Sequence, residues 1–351
     1  MKYDYEYAID DFLARQYDEC RPALPASLAV SGQMSRDTWR VRFREKFLTI
    51  LGGFPEDAPP LDIKILNKEK IDGITRIFFT FESERGLTVP AYYLLPDGKN
   101  GPLPSVIAAD AHGYGVRDIV GLDEDGNGHT PERDVSYQKT FALELCRKGF
   151  AVIAPEMFGF GHLRTRRSID THPQNKSCLE ATKRLQMTGR TTSGVRVFEC
   201  RRALEVLEQF GDADMERVGC MGLSGGGQTT TFFTALDDRV KACVVSGFAS
   251  VYKTSVMKLD NHCVDSYFTG LLKLGELPDI LSLIAPRPML WEIADRDQYF
   301  PAESALEAAG RVREAYASLG AADNFEIDEF SGTHQISGAK AYDFLMKRLA
   351  K

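Results

Sequence analysis

The chain has 351 residues, with 43 Lys and Arg against 50 Asp and Glu and a formal net charge of −7. That balance argues against nucleic acid as the main partner, which needs a basic face, and no apolar run approaches the ~20 residues of a membrane span. The length allows two domains or one large α/β domain whose core needs no disulfide or metal staple, and an N-terminus without the basic and then apolar stretch of a signal peptide points to a cytoplasmic enzyme or binding protein.

The first sixty residues read as a helical, peripheral arm. Trp39, Val41, Phe43, Phe47 and Leu48 recur at roughly helical spacing until Gly52-Gly53 stops the pattern, and Pro55, Pro59 and Pro60 form a stiff linker. From about residue 62 to 95 the pattern turns to antiparallel strands. Thr75, Ile77 and Phe79 share one face, a second run follows over 89–94, and turns fall at Asp72-Gly73 and Arg85-Gly86. Beyond residue 100, strands are expected over 105–111, 150–155, 217–223, 240–247, 288–294 and 325–330. Helices are expected between and after them over 137–148, 195–210, 225–236, 302–319 and 339–349. This alternation means a mostly parallel sheet covered by helices on both faces. Segments 161–194 and 252–284 lack clean strand signals and fall where such sheets carry loops around a ligand crevice. The expectation is one α/β catalytic domain over 61–351 behind a helical N-terminal arm over 1–60.

Gly222-Leu223-Ser224-Gly225-Gly226 fits G-x-S-x-G. The letters alone are weak evidence, but a strand leads into them and a helix leads out, which is the setting a nucleophile elbow requires. A glycine-rich phosphate cradle is the competing reading, and it lacks a following Lys-Ser/Thr. A serine hydroxyl needs a histidine base, and the histidine needs a carboxylate to orient it. The expected chain order is Ser, acid, His. Only His262 and His334 follow Ser224. His334, after the 325–330 strand, fits that order, whereas His262 precedes the strand expected to carry the acid and reads as a pocket or surface residue. Asp295 and Asp297 both sit at the carboxyl end of the 288–294 strand. Asp297 is the candidate acid and Asp295 a turn or cap residue, although spacing alone leaves both open. For the oxyanion hole, one donor is expected from the backbone N–H of Gly225. The other is expected from the loop His112-Gly113-Tyr114-Gly115, where the Tyr114 N–H is the natural donor and His112 reads as structural.

As a set, these stretches resemble the bacterial α/β-hydrolase esterases related to acetyl xylan esterase, cephalosporin C deacetylase and dienelactone hydrolase. The resemblance runs over about residues 85–350. It is carried by His112-Gly113-Tyr114, Phe150-Ala151-Val152-Ile153-Ala154-Pro155, Phe158-Gly159-Phe160-Gly161, the Ser224 elbow, Ile284-Ala285-Pro286-Arg287-Pro288, Asp297 with Pro301, and Gly332-Thr333-His334. It implies an α/β-hydrolase fold, a Ser224, Asp297 and His334 triad, and an oxyanion hole from the Tyr114 and Gly225 N–H groups. It also implies a serine carboxylesterase for short, acetyl-type esters of a sugar or other polar alcohol. No cofactor or metal is required, the partner is a small-molecule ester, and relatives of this kind are often homo-oligomers. Two departures stand out: Phe158-Gly159-Phe160-Gly161 replaces the Arg-Gly-Gln run of typical cephalosporin C deacetylases, and His334-Gln335 their His-Glu. Dienelactone hydrolases use a cysteine nucleophile where this chain has serine. The rival expectations are another acyl substrate (peptide, lactone or aromatic ester) on the same triad, or a non-catalytic binding protein on the same fold. Tyr114, Phe158, Phe160 and Tyr267 are candidate pocket walls or core.

The seven cysteines, at 20, 146, 178, 200, 220, 243 and 263, form no C-x-x-C pair, so zinc and thioredoxin-type spacing rules both fail and all seven are expected as reduced thiols. Asp123, Asp125 and Asn127, with Asp134 at the twelfth position, match the opening of a calcium loop. Pro131 and the missing Glu at the twelfth position make a solvated turn the plainer reading.

Overall fold

The computed structural model describes residues 7–99, 101–123, 125–128, 136–171, 176–259 and 261–350. Among the described residues nine strands form one sheet: β1 Lys64–Ile71, β2 Ile74–Glu84, β3 Leu87–Pro96, β4 Leu103–Ala109, β5 Ala151–Pro155, β6 Ala213–Leu223, β7 Val240–Ser246, β8 Met289–Ala294 and β9 Phe325–Phe330. They lie in the order β1-β2-β3-β5-β4-β6-β7-β8-β9. β1, β2 and β3 form an antiparallel meander, β3 pairs antiparallel with β5, and every pair from β5 to β9 is parallel. This is the α/β-hydrolase fold, and it places the strands where the alternating pattern put them. The chain leaves β4 toward β5 on one side and returns to β6 on the other. The carboxyl ends of β4 and β6 therefore flank a topological switch point, where α/β sheets open a crevice.

The parallel strands read as unbroken apolar runs because helices cover both faces: Val106 to Ala109 on β4 and all of β5 and β8 are buried. On one face pack the helices Arg36–Leu51, Thr192–Phe210, Gly225–Leu236 and Ala302–Ala317, and on the other Phe141–Lys148 and Ala341–Arg348. Within the N-terminal segment the Arg36–Leu51 helix is not peripheral, which corrects the sequence reading there, whereas Asp10–Asp18 has no buried residue. Trp39, Phe43, Phe47 and Leu51 are buried in the larger core cluster, with Phe47 edge-on to Phe232 at 4.9 Å. Trp39 also donates its indole N–H to Leu24 O at 2.8 Å. Thr191, which caps the Thr192–Phe210 helix through Gly194 N–H at 3.0 Å, gives its own hydroxyl proton to Leu51 O at 2.8 Å. A side chain at Gly194 would lie 2.3 Å from that same carbonyl, so glycine permits the two helices to meet.

The helix expected over 137–148 begins only at Phe141. Tyr137 and Gln138 instead turn back under the loop after β4: the Tyr137 hydroxyl donates to His112 O at 2.6 Å, and Gln138 Oε1 accepts from Ala111 N–H at 2.9 Å. No helix of the described residues is long and apolar enough to cross a membrane.

Candidate active site

β6 delivers Ser224 to a sharp turn at φ 57° and ψ −117°, a conformation that costs a serine ~1–3 kcal/mol and persists only where its surroundings over-determine it. Those surroundings are tight. The Ser224 N–H donates to Ser246 O on β7 at 2.9 Å. A Cβ at Gly222 would sit 2.5 Å from the Gly226 backbone, and one at Gly226 would sit 2.1 Å from Ala109 O. The glycines thus let the Gly225–Leu236 helix press against β4 and β6. Gly225 opens that helix, so its N–H has no intrahelical acceptor.

Asp297 lies in the turn after β8. Its Oδ1 accepts the N–H groups of Tyr299 at 2.8 Å and Phe300 at 3.0 Å, and its Oδ2 stands 2.7 Å from His334 Nδ1. Both side chains are buried. The His334 ring is held by Tyr299 edge-on at 4.8 Å, with Tyr137 and Phe300 stacked at 6.0 Å. Asp295, by contrast, is exposed and accepts Gly332 N–H at 2.9 Å, as a turn residue would. Glu292 on β8 takes a positioning part that no motif announced. It is buried, its carboxyl is pushed up by burial, and it accepts from Ser246 Oγ at 2.7 Å and from the Ser337 and Gly338 N–H groups at 3.0 and 2.8 Å. It thereby ties the loop that carries His334 to the sheet.

Ser224, Gly225 and His334 line one cleft of about 420 Å³. Tyr137, Phe248, Tyr299 and Phe300 form its aromatic wall. Gln228, Gln298 and residues of the two strand-free segments, among them Lys176, Asn261 and His262, supply polar groups. Gln228 Oε1 accepts from the Ser193 hydroxyl at 2.9 Å, while its buried Nε2 has no partner among the described residues. None of Tyr114, Phe158, Phe160 and Tyr267 lines the cleft. Phe160 is buried behind it, under the Arg196 guanidinium at 4.1 Å and edge-on to His112 at 4.5 Å. His112 itself lines the cleft.

The Tyr114 N–H expected in the oxyanion hole is engaged elsewhere: it donates to Asp118 Oδ2 at 3.1 Å. Asp118 is buried beneath the loop and would lie 2.3 Å from any Cβ at Gly113, so its carboxylate captures the donor that the sequence aimed at the cleft. Three further buried acids shape the neighbouring loops. Asp110 accepts Met157 N–H at 2.9 Å, Glu156 accepts Val116 and His162 N–H at 2.8 and 3.0 Å, and Glu199 accepts Phe158 N–H at 3.0 Å. Burial raises all three carboxyls, Glu156 up to about 7. In the acidic loop, Asp123 Oδ1 accepts the N–H groups of Asp125 and Asn127 at 3.0 and 2.8 Å and so closes a turn, while Asp134 lies outside the described residues.

A model of the dienelactone hydrolase family matches residues 134–333, a span that contains Ser224 and Asp297 and ends one residue before His334. YtaP of Bacillus subtilis (strain 168), provisionally named a hydrolase, is 28% identical over 299 residues, covering 84% of this chain and 94% of its own. Among solved structures, BF1801 of Bacteroides fragilis NCTC 9343, provisionally named an acetyl xylan esterase, superposes with a TM-score of 0.77 at 17% identity, over 92% of this chain and 82% of its own. A glucuronoyl esterase from Solibacter usitatus gives 0.66 at 16% identity, over 91% and 94%. The family match spans more than half the sequence and both flanks of the Ser224 turn: this chain belongs to the dienelactone hydrolase family.

Proposed function

We propose that the protein is a serine carboxylesterase that removes short, acetyl-type acyl groups from a polar alcohol of the carbohydrate kind. The observation that carries this reading is the 2.7 Å pair of His334 Nδ1 and Asp297 Oδ2, buried beside a cleft that His334 shares with the strained Ser224. In the proposed mechanism Asp297 fixes the His334 tautomer, so that Nε2 takes the Ser224 proton as Oγ attacks the ester carbonyl. The Gly225 N–H supports the developing oxyanion, a contribution of ~3 kcal/mol for one such donor. His334 then protonates the departing alcohol and activates the water that releases the acid from the acyl-serine. The second oxyanion donor comes from the loop after β4, through release of the Tyr114 N–H from Asp118 or through a neighbouring N–H of that loop.

A polar alcohol is supported by the cleft, which sets amide and ammonium groups beside aromatic faces. The unpartnered Gln228 Nε2 is a donor that a substrate oxygen would satisfy. The names of the two superposed structures, both esterases of sugar-containing substrates, point the same way. Hydrolysis of p-nitrophenyl acetate by the wild-type protein, lost in Ser224→Ala, is the expected result; equal rates in both proteins sink the proposal. A series from acetate to octanoate tests the acyl length, and acetylated sugars against methyl uronates test which side of the ester carries the sugar.

A further inference from the structure

Beside the catalytic cleft the fold gathers four side chains that no spacing rule connects. His112 follows β4, Cys178 opens the helix Cys178–Gln186, and Cys263 and Asp265 belong to the strand-free segment before β8. One ligand atom from each lies within 4.8 Å of all the others, and His112 Nε2 is 3.4 Å from Cys178 Sγ. Cys178 and Asp265 are buried, and His112 and Cys263 are half-buried at the cleft wall.

We infer that His112, Cys178, Cys263 and Asp265 form a site for one tetrahedral divalent cation of the zinc class. The donor set of two thiolates, one imidazole and one carboxylate is that of zinc chemistry. Bonds of ~2.3 Å to sulfur and ~2.0 Å to nitrogen or oxygen place tetrahedral ligands roughly 3.3–3.8 Å apart. The His112–Cys178 edge is already at that length, and contraction of the widest edge by about 1 Å closes the rest. Charge supports the same set. Arg196, fully buried, pairs with Asp265 at 2.8 Å through one carboxylate oxygen and donates to Cys178 Sγ at 3.6 Å. Without a metal the Arg196–Asp265 pair is neutral beside two thiols. With a divalent ion, two S–H bonds break, two metal–sulfur bonds form, two protons leave to solvent, and the buried site is again neutral. Arg196 then serves as the outer partner that holds the carboxylate and one thiolate in place.

Four protein ligands leave no open position, so the ion acts as a clamp rather than as a Lewis acid. It fastens the loop after β4, which carries the proposed second oxyanion donor, to the cleft wall at 263–265 and to the Cys178–Gln186 helix. The inference stands apart from the esterase reading, because its readout is the metal itself.

The test is a titration of reduced, chelator-treated full-length protein with Co2+, followed by Zn2+. The expected result is one equivalent of Co2+ per chain, with thiolate-to-cobalt charge-transfer absorption that Zn2+ displaces and two protons released per ion. The band is lost in Cys178→Ser and in Cys263→Ser and retained in Cys20→Ser. Cys178 is buried and its variant could misfold, so the wild-type titration decides first. Absence of a saturable charge-transfer band in the wild-type protein overturns the site. So does a band that survives both cysteine substitutions, or a Cys178–Cys263 disulfide that forms in air in the presence of Zn2+.

Discussion

Replacing Asp297 by Asn tests the proposed triad at its least exposed joint. The Asp297 carboxylate has two unlike sides: Oδ1 accepts two backbone N–H groups, from Tyr299 and Phe300, and Oδ2 faces His334 Nδ1. An asparagine oxygen must occupy the first side, because turning the NH2 there would set it against two donors in a buried turn, at a cost of ~1–3 kcal/mol for each donor left unpaired. The NH2 then points at His334 and donates to Nδ1, which forces the imidazole proton onto Nε2. A protonated Nε2 cannot accept the Ser224 proton. The packing of Tyr299, Tyr137 and Phe300 around the ring prevents it from escaping by rotation. The expected loss in kcat is about 10⁴-fold, equivalent to about 5 kcal/mol of transition-state stabilisation, with KM nearly unchanged. Urea unfolding should shift little, since every backbone bond to the side chain survives. The assay is steady-state hydrolysis of p-nitrophenyl acetate with Asp295→Asn as control, whose exposed side chain accepts the Gly332 N–H and lies beside Arg296, away from His334. A loss of less than about tenfold, or one carried by KM alone, refutes the reasoning.

Two further outcomes follow from the buried groups. Trp39→Ala empties a fully buried site and strands Leu24 O, and should cost ~3–5 kcal/mol in urea unfolding. An unchanged midpoint would return the N-terminal helix to the periphery. The raised carboxyls of Glu156, Asp110 and Glu199 hold protons in the folded chain that the unfolded chain has already lost. Their stabilising contribution is therefore complete below the ordinary carboxyl range and disappears as pH rises through the raised carboxyl range, about 7 for Glu156. Asp265, held down to about 2 by Arg196 against its own burial, acts in the opposite sense and matters only in strong acid. Thermal unfolding should thus be most resistant in mildly acidic buffer and lose resistance steadily from pH 5 to pH 8; a midpoint that rises over that range contradicts the assignment.

The strands were legible because a parallel sheet covered on both faces imposes unbroken apolar runs, and each expected run from residue 105 onward lies on a strand of the sheet. The elbow was legible for a local reason: Gly222, Ser224 and Gly226 meet steric demands within five residues of one another. Asp297 and His334 were reached through chain order, which the topology of β8 and β9 enforces, and the structure sets them 2.7 Å apart. The Tyr137 turn was misread as helix because its purpose is to bond His112 O, a partner 25 residues away. The N-terminal helix was misplaced for a similar reason. Its apolar residues have helical spacing whether they cover a surface or enter a core, and only long-range packing, such as Phe47 on Phe232 and the approach of Leu51 to Gly194, distinguishes the two.

The features that escaped the sequence share a physical cause. Asp110, Glu156, Glu199 and Glu292 act by accepting backbone N–H groups of loops remote in sequence, and a buried acceptor of that kind has no preferred neighbour in its own segment. The same holds more sharply for His112, Cys178, Cys263 and Asp265. Spacing rules for zinc describe sites built within one short loop, where C-x-x-C supplies two ligands from adjacent backbone, whereas these four atoms converge from three segments across 153 positions, from 112 to 265. A site assembled this way orders three segments at once, so whatever fills it acts on the geometry of the cleft wall as a whole. That is why the donors of the loop after β4 and the polar rim at 261–266 belong to one mechanical unit, and why a change at Cys178, behind the wall, should be felt at Ser224.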